Sequence, residues 1–273
     1  MTTAKLLAAL AAFTPALAQA GTITIKGSDT MVILGQRWAE DYMKKGTGTA
    51  IQVTGGGSGT GISALINGTT DITQSSRAMK DAEKEKLKEK HATTGVEIPV
   101  AKDGLAIYVN QANPIKELTI DQLKKIYMGK ITNWKEVGGP DAKIVVYSRE
   151  NSSGTYVFFK DNVLDGADFT TRAQTMPGTA AVVNAVSKEK NGIGYGGAAF
   201  AKAIKILMIK GSPTGPAVAP DLVAVQDGSY PLARPLFFYL RANPTGETKA
   251  FIDWVLSKEG QSVVSQVGYF PVK

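Results

Sequence analysis

The sequence has no cysteine and a single histidine. Without cysteine there are no disulfides, thiolate metal sites, cysteine nucleophiles or lipid-modified N-terminal cysteine. The one histidine, His91, follows a charged stretch and precedes Ala92-Thr93-Thr94-Gly95, the setting of a solvated helix end. A Ser-His-Asp triad would rest on a badly placed base, and zinc or iron has too few ligands. An all-carboxylate magnesium or calcium site stays open on composition, although no EF-hand spacing occurs and neither metal nor cofactor is expected. There is no fixed-period repeat, so repeat architectures are set aside. The apolar run Leu6 to Phe13 is far shorter than the roughly 20 residues that span a bilayer.

That run has a role of its own. Met1-Thr2-Thr3-Ala4-Lys5 supplies a basic start, and Ala18-Gln19-Ala20 a small-x-small end before Gly21. This is the order of a secretory signal peptide, so residues 1–20 are expected to be removed and the mature chain to be periplasmic. Of the 273 residues, 43% are hydrophobic and 20% charged, the composition of an ordinary α/β protein. The net charge of +7 suits anions or nucleic acid. Its basic residues are interspersed with acids, as from Lys80 to Lys90, and do not lie beside aromatics that stack bases. That stretch reads as a solvated helix, and nucleic acid is not an expected partner.

Strands and helices alternate after Gly21. A strand, Thr22 to Lys26, runs into Gly27-Ser28-Asp29-Thr30, after which Met31, Leu34, Trp38 and Tyr42 recur at helical spacing. A second strand, Ala50 to Thr54, leads through Gly55 to Gly61 into a short helix, and a third near Ile72 ends in Thr73-Gln74-Ser75-Ser76-Arg77. The alternation predicts an α/β fold with mainly parallel, doubly wound sheets. A change of register between Pro99 and Gly104 marks a crossing into a second lobe, and Pro235 to Leu240 marks the return. The expected division is 21–100 with 231–273 in lobe I and 101–230 in lobe II, joined by a two-strand hinge.

Four loops share one design, with hydroxyl residues or glycines just after a strand and near a following helix or turn. They are Gly27 to Thr30, Gly55 to Gly61, Ser75-Ser76-Arg77 and Arg149 to Thr155. Singly, each reads as capping and turn chemistry. Together they can form an anion cradle, because helix N-termini carry unpaired N–H donors and partial positive charge, and open α/β sheets bind ligands beyond the carboxyl ends of their strands. Arg149 adds a guanidinium that grips two oxyanion oxygens. The glycine loop lacks the Gly-Lys-Ser/Thr of a nucleotide P-loop, and the dinucleotide-like spacing Gly192-Ile193-Gly194-Tyr195-Gly196-Gly197 falls within a strand.

These motifs, with Ile126-Tyr127-Met128-Gly129-Lys130-Ile131-Thr132-Asn133-Trp134-Lys135-Glu136-Val137-Gly138-Gly139, resemble the PstS family of receptors for ABC-type phosphate uptake. The resemblance runs through nearly the whole mature chain. It implies a two-lobed, type II periplasmic binding protein fold, a non-enzymatic monomer, inorganic phosphate as ligand and membrane permease subunits as partners. Carried over by position, it implies an anion site built from Ser28, Asp29, Thr30, Ser58, Ser76, Arg77, Arg149, Ser153, Gly154 and Thr155. Some members have an aspartate where Ser76 stands, to accept the proton of bound phosphate, so Asp29 becomes the expected acceptor here. A receptor for sulfate, molybdate or tungstate, or a secreted phosphatase, is the alternative.

Overall fold

The computed structural model describes residues 21–272; the expected signal peptide lies outside them. The first lobe opens with β1 (Thr22–Gly27), α1 (Val32–Met43), β2 (Ala50–Thr54), α2 (Ser58–Asn67), β3 (Ile72–Ser75) and α3 (Asp81–His91). Strand β1 lies between β2 and β3 and is parallel to both, as the strand-helix alternation predicts. Helix α3 buries Leu87 alone, so the charged stretch forms a solvated helix, with His91 exposed at its end.

The crossing is made by one unbroken strand, β4 (Val96–Val109). The second lobe then holds β5 (Glu117–Thr119), α4 (Ile120–Tyr127), β6 (Val145–Arg149), α5 (Gly154–Asn162), β7 (Gln174–Met176), α6 (Gly178–Lys188), β8 (Gly192–Gly197), β9 (Lys205–Lys210), β10 (Ala217–Val218) and α7 (Leu222–Asp227). Strand β11 (Ala233–Leu240) returns to the first lobe, which α8 (Gly246–Leu256) and α9 (Lys258–Val267) complete.

The sheets are mixed rather than mainly parallel. Strands β1, β2 and β3, and likewise β6, β7 and β8, pair in parallel, whereas β11 runs antiparallel to β3 and β4, and β4 antiparallel to β8 and β9. Apart from the short β9–β10 pair, the antiparallel pairs come from the crossing strands, which serve both lobes and cannot follow the right-handed strand-helix-strand pattern of either.

Each lobe has its own core. In the first, Ile23, Ile25, Trp38, Ile72, Phe238 and Phe251 pack together. In the second, Leu105, Ile107, Tyr127, Trp134, Phe159 and Tyr195 do so. The segment around Trp134 is structural, because Asn133 caps the turn Trp134–Val137 and the buried indole donates to the Asn191 carbonyl at 3.1 Å. In the first lobe, Trp38 has no exposed surface, donates to the Gly260 carbonyl at 2.8 Å and meets Phe238 edge-on at 5.6 Å. Trp38→Ala is expected to lose about 3–5 kcal/mol, measured by urea unfolding, since it opens a cavity and strands a buried carbonyl.

Candidate functional site

The carboxyl ends of β1, β2, β3 and β6 point to one place between the lobes. Loops after three first-lobe strands and one second-lobe strand bring their hydroxyls into a single buried cluster. Ser28 Oγ donates to Ser76 Oγ at 2.9 Å, the Ser76 N–H donates to Ser58 Oγ at 3.1 Å, and Ser58 Oγ lies 3.4 Å from Ser76 Oγ. From the other lobe, Thr155 Oγ1 lies 2.8 Å from Thr30 Oγ1 and 3.5 Å from Ser76 Oγ. Ser28, Thr30, Ser58, Ser76 and Thr155 are each at most 1% exposed.

Two helix N-termini face each other across this cluster. Helix α2 starts at Ser58, and helix α5 starts at Gly154, with Ser153 Oγ accepting from the Tyr156 N–H at 3.2 Å. First-turn N–H groups have no partner within their helix, so both ends offer donors and the positive end of a dipole. The approach is so close that only glycine fits. A Cβ on Gly154 would lie 2.2 Å from Ser58 Oγ, and one on Gly57 would lie 2.5 Å from the Ser152 carbonyl oxygen. Gly57 also has φ +92°, and beside it the Gly59 N–H donates to that same carbonyl at 2.9 Å, a main-chain bond between lobes.

Arg149 ends β6 and is 2% exposed. Its Nε and Nη2 donate to Glu150 at 3.0 and 2.8 Å, Nη1 donates to Thr179 Oγ1 at 3.0 Å, and Nη2 donates across the cleft to Asp29 Oδ2 at 2.9 Å. The other Asp29 oxygen accepts from the Gly56 N–H at 2.8 Å. Each Asp29 oxygen thus accepts one hydrogen bond, and this carboxylate is the cross-cleft partner of Arg149. Burial pushes the Glu150 carboxyl up, but the hydrogen bonds and charge of Arg149 outweigh it and hold the group below its ordinary value.

A second guanidinium, unforeseen from the sequence, stands behind the hydroxyls. Arg234 of β11 donates from Nη2 to Thr155 Oγ1 at 3.0 Å and from Nη1 to the Ser76 carbonyl at 3.2 Å. Its Nε and Nη2 donate to Asp103 Oδ2 of β4 at 3.0 and 2.8 Å, and its Cζ lies 5.2 Å above the Phe158 ring. Asp103 and Arg234 are 1% and 3% exposed. The available signal was Arg234, the one charge in the apolar strand β11, and Asp103, placed just before the apolar run Leu105 to Val109 of β4, where an unpaired charge is costly.

The profile of the PBP superfamily domain matches residues 14–259. The Pseudomonas aeruginosa phosphate-binding protein PstS is 34% identical over 97% of this chain and 89% of its own length. That of Staphylococcus haemolyticus is 37% identical over 89% of this chain and 79% of its own. The chain belongs to the PstS family of phosphate-binding proteins. Among solved structures, a phosphate ABC transporter substrate-binding protein from Clostridium perfringens, with bound phosphate, superposes with a TM-score of 0.85 at 33% identity, covering 93% of this chain and 100% of that one. An ABC-type phosphate transport receptor from Vibrio cholerae gives 0.73 at 32% identity, covering 91% and 99%.

In this PstS chain the cluster unites Ser28, Thr30, Ser58, Ser76 and Thr155, with Asp29, Arg149, Ser153 and Gly154 at its edge. Arg77 is the exception. Its Nη1 and Nη2 donate to Glu83 at 2.8 and 2.6 Å, and Nη1 also donates to the Ala78 carbonyl at 2.9 Å. The side chain turns out of the cluster toward the start of α3 because the acid there gives it a bidentate partner. It lines a cleft of about 610 Å³ that opens beside Ser76 and Arg234.

Because the folded state holds Glu150 below its ordinary 4.5, its stabilising effect is full above that pH and is lost as the pH falls through the lowered value. The difference in thermal midpoint between the wild type and Glu150→Gln is expected to be largest at neutral pH and to shrink below pH 4.5. A difference that is constant with pH would contradict this.

Proposed function

We propose that this chain is a non-enzymatic, exported receptor that captures inorganic phosphate between its two lobes and delivers it to the membrane permease of an ABC transporter. The observation that carries the proposal is the hydroxyl cluster itself. Two helix N-termini, one from each lobe, face the same point and are ringed by buried Ser and Thr hydroxyls, a donor-rich setting suited to a small tetrahedral oxyanion. Each guanidinium at the site is already paired with carboxylates. Neutral O–H and N–H donors must therefore do much of the binding, which favours recognition by shape and hydrogen bonding over bulk charge.

The phosphatase alternative finds no support in the geometry, because the sequence's one histidine, His91, sits at the exposed end of α3 against the Ile66 carbonyl at 2.8 Å. A nucleophilic serine in the cluster has no base of that type. The family relationship, with P. aeruginosa and S. haemolyticus relatives called phosphate-binding proteins, supports phosphate over the other oxyanions. The working division is 21–100 with 231–273 against 101–230, with a periplasmic, monomeric protein after removal of residues 1–20. The separate cores support that division, and the strand-borne crossings allow the lobes to hinge.

Calorimetric titration of ligand-stripped protein is expected to give one-to-one phosphate binding that excess sulfate does not displace. Absence of heat with phosphate, or displacement by sulfate at equal concentration, would reject the proposal. Gly154→Ala gives a second check. Alanine suits a first helical turn, yet its Cβ would meet Ser58 Oγ at 2.2 Å only when the lobes are together. Phosphate affinity is expected to fall roughly 100-fold with little change in the thermal midpoint.

A further inference from the structure

A receptor for phosphate near neutral pH meets an anion that still carries a proton, whereas sulfate carries none. Hydroxyl groups do not separate the two, because a Ser or Thr O–H can donate as well as accept. An ionised carboxylate only accepts, so it welcomes the protonated anion and repels the other. Selectivity therefore points to a carboxylate with an uncommitted oxygen at the site.

Three carboxylates reach this centre. Asp29 uses one oxygen for Gly56 N–H and the other for Arg149. Glu150 uses both for Arg149. Asp103 differs, since both Arg234 donors converge on Oδ2 while Oδ1 is buried with no hydrogen-bond partner among the described residues. A buried carboxylate oxygen without a donor is costly and rare in native proteins.

The surroundings of Asp103 do not supply that donor. Three buried tyrosines feel its charge, and for Tyr108, Tyr269 and Tyr230 burial first and Asp103 second raise the hydroxyl above its ordinary value. Each hydroxyl proton is already given to a main-chain carbonyl, from Tyr108 to Gly197, from Tyr269 to Thr30, and from Tyr230 to Leu105. The remaining charged neighbour, Arg234, links Asp103 to Thr155 through 2.8 and 3.0 Å bonds. On the other side, Gly197 leaves the approach open. A Cβ there would lie 3.0 Å from Asp103 Oδ1 and 3.3 Å from Thr30 Cγ2, so the free oxygen and Thr30 border the same small space.

We infer that Asp103 is the specificity-determining acceptor of this receptor, its Oδ1 taking the hydrogen bond from the proton of a tetrahedral oxyanion of the hydrogen-phosphate or arsenate class. This rests on the phosphate reading above and assigns to Asp103, on the hinge strand β4, the role that some relatives give to an aspartate at the position of Ser76. Arg234 acts as the positioning residue, which holds Oδ2 and leaves Oδ1 turned to the anion.

The test is competition calorimetry with phosphate and sulfate on the wild type, Asp103→Asn and Arg234→Lys. For Asp103→Asn the ratio of phosphate to sulfate affinity is expected to collapse at least 100-fold. For Arg234→Lys both affinities are expected to fall while the ratio stays within about threefold. If Asp103→Asn weakens both anions equally, Asp103 is structural and the inference is overturned. Should that variant fail to fold, a crystal structure of the wild type with phosphate decides. A phosphate oxygen within hydrogen-bond distance of Asp103 Oδ1 supports the assignment, and one beyond 3.5 Å defeats it. A wild type that binds neither anion removes the phosphate reading and this inference with it. A wild type that is selective for phosphate, with a folded Asp103→Asn variant equally selective, removes only the assignment.

Discussion

A guanidinium cannot be taken out of water without partners, and Arg149, 2% exposed, shows what that constraint demands of the chain around it. Glu150 is adjacent in sequence and satisfies one edge of the fork. Thr179, at the start of α6, satisfies Nη1, and Asp29 reaches over from the opposite lobe. The ion pair that makes a positive group tolerable in the interior is thus also a bond between lobes. Removing Asp29 or Glu150 would leave Arg149 undercompensated, the situation in which buried pairs are most costly to break.

The same logic explains why the centre is rich in hydroxyls. Serine and threonine can satisfy one another when their hydroxyls are close, as Ser28, Ser76, Thr30 and Thr155 do, and can turn the same protons toward an anion with little structural change. Lysines in their place would repel one another once the lobes met. The charged groups at the centre, Arg149 with Asp29 and Glu150 and Arg234 with Asp103, leave no positive surplus there, so the net charge of +7 is carried elsewhere, where it acts on encounter rather than on recognition.

The parts of this arrangement that were legible in the sequence are those whose cause is local. A strand followed by Gly27-Ser28-Asp29-Thr30 and a helical run states its own turn, and helix α4 begins at Ile120 because Thr119 and Gln122 form a capping box. The serine and threonine loops were found for the same reason. What stayed hidden depends on pairing across long separations. Nothing near Arg77 in the chain distinguishes an arginine that faces an anion from one that pairs with Glu83 six residues on. Asp103 and Arg234 lie 131 positions apart, and each looks like an interruption in its strand until β4 and β11 are laid side by side. The mixed character of the sheets was missed on the same ground, since strand direction is set by where the crossing chain must go rather than by local pattern.

That pairing bears on how the molecule moves. Strands β4 and β11 are the crossings between lobes, and the register pairs Arg234 with Asp103 directly across them. Arg234 also holds Thr155 of the second lobe and the Ser76 carbonyl of the first. The hinge strands therefore carry charged groups that end inside the site, and a change in the angle between lobes cannot occur without altering the geometry around Thr155. Conversely, an anion that binds Thr155 and Ser76 together holds the hinge near one angle. A ligand shifts a conformational equilibrium only by its difference in affinity for the two states. Here that difference arises because the donors come from both sides of the hinge, four hydroxyls from the first lobe and Thr155 with the start of α5 from the second, so only the closed arrangement can present them all to one anion.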